Sequence, residues 1–216
     1  MWEISIKMKT KEKILETARI LFNTHGISAI SSKAIAEDMG ISYGNLCYHF
    51  PKKDDIILQL YLNMQKNVEQ QFKNIKEEVI NLEFMLSRLK ILFEEIYKYK
   101  FIYLGITKVV RHFDHIKKHA QDQFDQRWNI LDTISGFLIA NGYMKAFKDD
   151  RQKNMLIHAL LMVSNSWISD AEVFYKGKED EKIDYYMQVF FNLVRPTLTE
   201  KGLEGFKKVY EKNSNL

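Results

Sequence analysis

The chain has 216 residues, of which 46% are hydrophobic, so it can bury one large core or two modest ones. Nine glycines and two prolines provide few turn signals, which favours long helices over an all-β fold. The single cysteine excludes an internal disulfide and a cysteine zinc site. A net charge of +4 is compatible with nucleic-acid binding but does not by itself argue for it.

The beginning of the chain carries no targeting signal that we recognise. Residues 1–10 lack the continuous apolar region of a signal peptide, and no stretch approaches the roughly 18 to 20 apolar residues that cross a bilayer. We therefore expect a cytoplasmic protein. Residues 1–8 are expected to form a short, unordered arm. A strand-like segment packed on the body and a basic arm in a DNA groove are the alternatives.

The N-terminal part of the chain shows apolar residues at helical spacing. The predicted helices run from about Lys9 to His25, Ser32 to Met39, Tyr43 to Tyr48 and Pro51 to Val79. Gly26 ends the first helix, and Pro51 stands at the start of the fourth, where its missing N–H costs least. Since nothing in the fourth helix breaks its period, it is expected to be a rigid connection.

The remainder of the sequence indicates helices alone, so the predicted fold class is all-α. These helices run from about Leu82 to Tyr97, Phe101 to His112, Asp114 to Ala140, Asp150 to Phe174, Ile183 to Val194 and Glu200 to Lys212. No internal repeat or low-complexity tract is present.

The segment from Ser31 to Ile56 has the pattern of a helix-turn-helix motif. Gly40 is suited to a positive φ at the end of a helix, and Ser42 is suited to cap the next helix. Ala36, Gly40 and Leu46 have the expected spacing of a small crossing residue, a turn glycine and an apolar anchor. An ordinary helical hairpin within an all-α core is the alternative.

The wider run from Lys11 to Ile56 resembles the DNA-binding domain of the TetR family of bacterial transcriptional regulators. The matching residues are Ile14, Leu15, Ala18, Leu21, Phe22, Gly26, Ile35, Ala36, Met39, Gly40, Ile41, Ser42, Gly44, Leu46, Tyr48, His49, Phe50, Pro51, Lys53, Asp54 and Ile56. The resemblance implies a three-helix DNA-binding domain with a short arm over residues 1–52. A helical effector-binding and dimerisation domain would follow over residues 53–216.

The resemblance also implies which side chains contact DNA. Tyr43, Asn45 and Leu46 would face the major groove, and an asparagine amide can pair with an adenine edge. Phosphate contacts would come from Ser32, Lys33, Ser42, Tyr48, His49 and Lys53. The structural alternatives are that the serines only cap helices, that Leu46 belongs to the core and that Tyr48 simply packs. Cys47 stands where the family usually has tyrosine, so a phosphate contact there is in doubt.

The helix predicted from Asp150 to Phe174 is apolar around much of its circumference, so it must be buried on more than one side. In TetR relatives the last two major helices pair with those of a second subunit. The resemblance therefore implies a homodimer, with an interface at Leu160, Val163, Trp167, Tyr186, Val189, Phe190 and Leu193. A monomeric core helix is the alternative.

Fourteen Phe and eleven Tyr indicate an interior with aromatic walls. Family members often bind a small molecule among the C-terminal helices, and an apolar or amphipathic effector suits such walls. The candidate pocket residues are Phe93, Tyr97, Tyr103, Phe124, Trp128, His158, Met162 and Asn165. Ordinary core packing is the alternative for the aromatic residues, and hydrogen bonds between helices or across the dimer are the alternative for His158 and Asn165.

The sequence offers no support for catalysis or a cofactor. We find no glycine-rich phosphate loop, no Gly-x-Ser-x-Gly and no His-Glu metalloprotease motif. Cys47 and His49, at i and i+2 of a helix, point apart. His112, His115 and His119 share a helix face, but Lys117 and Lys118 make a cation less favourable there. We expect no enzyme, no metal and no other cofactor.

The sequence thus predicts a repressor that binds a palindromic operator as a homodimer and is released by a small effector. Two alternatives remain at this point. One is a DNA-binding dimer that needs no ligand, and the other is an all-helical ligand-binding or adaptor protein without operator binding.

Overall fold

A computed structural model describes residues 9–72 and 82–213 of the chain, and these residues are almost entirely helical. The helices are α1 (Thr10–His25), α2 (Ser32–Asp38), α3 (Tyr43–His49), α4 (Lys53–Phe72), α5 (Leu82–Tyr97), α6 (Lys100–Leu104), α7 (Ile106–His112), α8 (Asp114–Ala140), α9 (Asp150–Phe174), α10 (Lys182–Val194) and α11 (Glu200–Asn213). The all-α prediction is confirmed. The predicted arm of residues 1–8 and the predicted end of the fourth helix, near Val79, lie outside the described residues.

One predicted helix is wrong. The stretch predicted as a single helix from Phe101 to His112 forms two helices, α6 and α7, which separate at Gly105. Gly105 closes α6 with its N–H on the Phe101 carbonyl (3.0 Å) and leaves helical geometry at φ −108° and ψ 8°. Glycine has a low helix propensity, so ending the helix at this position costs little free energy. The 3₁₀ turns Glu179–Glu181 and Arg195–Thr197 were also not predicted.

The described chain divides into two compact units. The first contains the described residues up to Gln70 together with Glu95–Gly105, and the second contains the described residues of Gln71–Glu94 and Ile106–Leu216. Most of α4 therefore packs with the N-terminal helices. The predicted boundary between residues 52 and 53 separates a DNA-binding part from an effector-binding part, whereas these two units are defined by packing. The predicted boundary stays a prediction.

The first unit is built around a small apolar core contributed by α1 to α4 and the segment from Glu95 to Gly105. Its buried members include Ile14, Ala18, Phe22, Ile35, Leu46, Ile56, Leu60, Met64, Phe101 and Ile102. The Asn23 amide donates to the Lys98 carbonyl (2.8 Å), and its oxygen accepts from the Phe101 N–H (3.1 Å). Arg19 donates to the same carbonyl (2.8 Å). These bonds fasten the start of α6 to α1.

The second unit has an aromatic core between α5, α9 and α10. Phe93 stacks on Trp167 with ring centroids 5.0 Å apart, and Trp167 contacts Tyr186 at 5.5 Å. The Tyr186 hydroxyl donates to Asp170 (2.5 Å). Burial, and then this hydrogen bond, raises the pKa of Tyr186 well above its ordinary value. The cluster joins α9 to α10 along their facing sides.

The turn after α8 is tied to the start of α11. Gly142 has φ +70°, and the Thr199 N–H donates to the Tyr143 carbonyl (3.1 Å), while the Lys145 N–H donates to the Thr197 carbonyl (2.8 Å). Gly202 lies so close that an added Cβ would be 2.1 Å from the Tyr143 oxygen. This position therefore accepts only glycine without movement.

None of the helices in the described ranges is long and apolar enough to cross a membrane.

Candidate nucleic-acid interface

The first turn of α2 is capped by Ser31, whose hydroxyl accepts the Ala34 N–H (3.1 Å). The alternative that Ser32 caps α2 is wrong by one residue. Two adjacent serines gave no signal to choose between them. Because Ser31 performs this role, the half-buried Ser32 at the first helical position keeps its hydroxyl for another partner.

The turn between α2 and α3 closes as the sequence predicts. Gly40 has φ +66°, and its N–H donates to the Glu37 carbonyl (3.1 Å). The Ile41 N–H reaches back to the Ala36 carbonyl (3.0 Å), which completes a Schellman motif. This pair of bonds fixes the direction in which the chain enters α3.

Ser42 caps α3 by accepting the Asn45 N–H (3.1 Å), as predicted. Leu46, one turn further on, is 0% exposed. The prediction that Leu46 faces the major groove is therefore wrong, because a side chain fully covered by its own domain cannot reach a base edge. The alternative, an apolar anchor in the core, is confirmed.

The rest of the α3 surface carries exposed polar and aromatic groups. Tyr43 is 52% exposed and Tyr48 is 84% exposed, while Asn45 is also exposed. The Tyr48 ring meets the half-buried His49 ring edge-on, with centroids 5.2 Å apart. A Cβ at Gly44 would be no nearer than 4.0 Å to the Ser42 hydroxyl. The arrangement leaves one face of a short helix open to a large partner.

Cys47 and Tyr43 interact across one turn of this helix. Interaction with the Cys47 side chain, four residues further on, raises the pKa of the Tyr43 hydroxyl above its ordinary value. Cys47 is a free thiol and is half-buried.

Three lysines at the starts of α2 and α4 differ in how far their ammonium groups are already engaged. Lys33 is exposed and forms a loose pair with Glu37 (3.7 Å), and Lys52 is exposed at the start of α4. The Lys53 ammonium instead donates to the carbonyls of Ile27 (2.9 Å) and Ile30 (3.0 Å). The prediction of Lys53 as a phosphate contact needs correction, because two of its three donors hold the loop before α2.

The structure brings together three of the predicted pocket residues. Phe124 and Trp128 of α8 and His158 of α9 form a triangle of rings with centroids 6.2 to 6.3 Å apart. Asn165 is half-buried in the same unit, whereas the half-buried Tyr97 and Tyr103 belong to the first unit. A pocket formed by these residues stays a prediction.

Two of the predicted pocket residues differ in burial, and their role in a pocket stays a prediction. Phe93 has no exposed surface and stacks on Trp167 in the core. Met162 is 60% exposed on the outside of α9.

Four of the predicted interface residues are buried inside their own chain, and their role at an interface stays a prediction. These are Leu160, Trp167, Tyr186 and Phe190. Val163, Val189 and Leu193 are half-buried, and their role stays a prediction. The exposed apolar residues of α9 and α10 that sequence reasoning missed are Met155, Val173, Phe174 and Tyr185, together with Met162.

No group of three or more His, Cys, Asp or Glu side chains suited to a metal occurs in the part of the chain that the structure describes. The prediction about His112 and His115 lies outside the described side chains.

A short helix held by a Schellman turn and a serine cap, with its anchor buried and its polar face open, defines a helix-turn-helix DNA-binding regulator. Comparison with family models gives the particular family. The model described as bacterial regulatory proteins of the tetR family matches residues 14–60, and the TetR model, described as bacterial transcriptional repressor, matches residues 63–206. The second match covers more than half of the chain. The protein belongs to the TetR family.

Individual relatives agree with this assignment. The chain is 30% identical over 80 residues to the HTH-type transcriptional regulator UidR of Escherichia coli K12, a match over 37% of this chain and 41% of UidR. The chain thus spans about two-fifths of the length of that relative.

Solved structures show the same fold. A TetR-family regulator from Marinobacter aquaeolei VT8 superposes with a TM-score of 0.83 at 22% identity, covering 94% of this chain and 98% of that one. A Saccharomonospora viridis protein solved in complex with choline gives 0.67 at 20% identity, covering 88% and 97%.

Proposed function

We propose that the protein is a cytoplasmic repressor that binds a palindromic operator as a homodimer and leaves it when a small apolar or amphipathic effector binds. The observation that supports sequence-specific DNA binding is the contrast between buried and exposed side chains on α3. Leu46 anchors the helix in the core, while Tyr43, Asn45 and Tyr48 remain exposed. A helix anchored in this way can enter the major groove without losing its packing.

The proposed DNA contacts are base readers and phosphate contacts. Tyr43 and Asn45 would read base edges, and Asn45 offers an amide that matches adenine. Ser32, Lys33, Tyr48 and His49 would hold phosphates, and Ser42 would do so in addition to capping α3. Lys52 joins this set because it is exposed at the start of α4, where N–H groups favour an anion.

The dimer proposal rests on the outer side of α9. At 100° per residue, Met155, Met162 and Val173 fall within about 20° of one line, and Ser166 falls beside it. The buried residues Leu160, Leu161, Ile168 and Ala171 lie on the other side of the helix. An exposed apolar stripe with small residues, on a helix already packed on its other side, is suited to a second copy of the chain.

The dimer is tested by analytical ultracentrifugation of the Met162→Glu variant. A charge at the centre of the stripe should shift the sedimenting species towards monomer. Ile130→Glu is the matched control, because Ile130 is an exposed apolar residue on α8. Equal behaviour of the two variants would argue against this surface as the interface.

Operator binding is tested by fluorescence anisotropy with DNA from immediately upstream of the gene, at two salt concentrations, with random DNA for comparison. Tight, salt-dependent and selective binding is expected. Asn45→Ala should reduce discrimination at one base pair by about 1–3 kcal/mol, whereas Lys33→Ala should weaken all sequences alike. Equal losses on both DNAs from Asn45→Ala would contradict its base-reading role.

Effector release requires a molecule that binds the non-DNA conformation more tightly, because a ligand with equal affinity for both states shifts nothing. The ring triangle of Phe124, Trp128 and His158 supports an aromatic-walled site in the second unit. The choline complex of the Saccharomonospora viridis protein supports a small-molecule ligand in this fold. A thermal-shift screen followed by the anisotropy assay separates this proposal from a ligand-independent dimer.

A further inference from the structure

Three tyrosine rings meet at the corner between α9 and α10. Tyr175 directly follows α9, and Tyr185 and Tyr186 lie near the start of α10. The ring centroids of Tyr175 and Tyr185 are 5.2 Å apart, as are those of Tyr185 and Tyr186. The centroids of Tyr175 and Tyr186 are 6.1 Å apart. Each ring therefore contacts the other two, all within the second unit.

The three tyrosines differ in what surrounds them. Tyr186 is 5% exposed, its hydroxyl donates to Asp170, and its ring contacts Trp167 with centroids 5.5 Å apart. Tyr185 is 50% exposed, and Tyr175 is half-buried. The core thus holds one of the three rings, whereas the other two meet at the surface, where a dissolved reagent reaches them.

The loop after α9 holds the Tyr175 ring. A Cβ added at Gly177 would collide with the Tyr175 hydroxyl and would lie 2.5 Å from its Cζ atom. The hydroxyl end of the ring therefore lies against the Gly177 backbone, and the ring plane is tilted by 49° from that of Tyr185. Glycine at position 177 leaves room for the Tyr175 ring beside Tyr185.

We propose that Tyr175 and Tyr185 form an oxidative modification site, at which a one-electron oxidant joins the two rings as dityrosine. Each phenol loses one electron to the oxidant and its hydroxyl proton to water, which leaves two tyrosyl radicals. The radicals couple through one carbon ortho to each oxygen, and the two ortho hydrogens then move to the oxygens. The product contains one new C–C bond and has lost two hydrogen atoms, and two equivalents of oxidant have been reduced.

This site goes beyond DNA binding and does not depend on the proposed operator or effector. The chain has one cysteine, so it cannot form an internal disulfide. The tyrosine pair gives it another covalent cross-link inside one chain. The link would join the residue after α9 to α10 and close a short loop, which restrains the unfolded chain.

The first test is photo-oxidation of the full chain at low concentration with tris(bipyridine)ruthenium(II) and persulfate, which supply the one-electron oxidant. The monomer-sized band of a denaturing gel is digested with trypsin and analysed by mass spectrometry. The expected product joins residues 154–176, in which Tyr175 is the only tyrosine, to residues 183–201, with the loss of two hydrogen atoms. A link found only in the dimer-sized band would overturn the proposal, because the rings would then join between chains.

Phenylalanine variants identify the two rings that couple. Tyr175→Phe and Tyr185→Phe should each abolish the product, and Tyr186→Phe should keep it. Tyr48→Phe is the matched control, because Tyr48 is 84% exposed but its ring meets His49. This variant should leave the yield unchanged. A product that survives Tyr185→Phe and disappears with Tyr186→Phe would overturn the assignment to Tyr185.

Gly177→Ala tests whether the loop positions Tyr175. The added methyl group must displace the end of the Tyr175 side chain, so the yield should fall while the far-UV circular dichroism stays the same. An unchanged yield would contradict a ring held by this loop. The isolated cross-linked chain should also unfold at a higher temperature than the unmodified chain. An equal midpoint would overturn the link as a restraint between α9 and α10.

Discussion

The two compact units use different interactions to hold their helices. In the helix-turn-helix of the first unit, hydrogen bonds between residues close in sequence set the geometry: Ser31 caps α2, Ser42 caps α3, and Ile41 folds back onto Ala36. In the second, ring contacts between residues far apart in sequence connect α5, α9 and α10. The capped turn fixes the direction of α3, whereas the ring contacts fill the core between α5, α9 and α10.

This difference matters for how each unit can change. A capped turn has one favourable geometry, so α3 is presented to a partner in one orientation. One ring of an aromatic core can move or be removed while the other rings stay packed. The core then loses the packing contacts that this ring made. We therefore expect substitutions in the second unit to act mainly on stability and substitutions on α3 mainly on binding.

The largest effect is expected for Trp167→Ala. This ring is 2% exposed and contacts both Phe93 and Tyr186, so its removal leaves a cavity that several neighbours line. The free energy of unfolding should fall by about 3–5 kcal/mol. Urea denaturation followed by far-UV circular dichroism measures it. Trp128→Ala removes a half-buried ring of α8 and should destabilise less; equal losses would contradict the packing difference.

The next largest loss of stability is expected for Gly202→Ala. The new Cβ would stand 2.1 Å from the Tyr143 oxygen, so the turn after α8 must move and the free energy of unfolding should fall by about 1–3 kcal/mol. Gly136→Ala is the matched control within α8, because its Cβ meets nothing within 4 Å. There alanine should stabilise by roughly 0.5–1 kcal/mol. Thermal melts should therefore show a lower unfolding midpoint for Gly202→Ala and a higher one for Gly136→Ala.

The contrast between the two units also explains which features could be predicted from the sequence. Helix periodicity, Gly40 and the Ser42 cap act within a few residues, so the helices and the turn that orients α3 were predictable. Leu46 illustrates the limit. The motif spacing indicated an apolar anchor and the family resemblance implied a base contact, and the burial of Leu46 in the folded unit decides for the anchor.

Long-range packing accounts for the remaining errors. Periodicity identified α9 as apolar around its circumference, but it could not say which side its own chain covers. Trp167 proved to be inside and Met162 outside. Lys53 was likewise unpredictable, because its partners are the carbonyls of Ile27 and Ile30, which become neighbours only after folding.

Ser31 and Ser32 are adjacent, but only the Ser31 hydroxyl caps α2. Ser31→Ala removes the α2 cap and should lower the free energy of unfolding by about 1 kcal/mol. Ser32→Ala should leave stability within about 0.5 kcal/mol of wild type, as for an ordinary surface position. On DNA the order should reverse for the proposed phosphate contact, with Ser32→Ala weakening binding to all sequences. A stability loss from Ser32→Ala equal to that from Ser31→Ala would contradict the cap assignment.

The smallest effect is a pH dependence in the second unit. Burial and then the hydrogen bond to Asp170 raise the pKa of Tyr186 in the folded protein, so the fold favours the protonated hydroxyl. The resulting stabilisation is fully present below the unfolded pKa of about 10 and is lost as pH rises from there through the folded pKa. Tyr186→Phe should therefore show a shallower fall in unfolding free energy above pH 10 than wild type. Asp170→Asn removes the charged acceptor but keeps the burial, so its slope should lie between the two. Identical slopes for all three proteins would show that the Tyr186 hydroxyl titrates alike in the folded and unfolded chain.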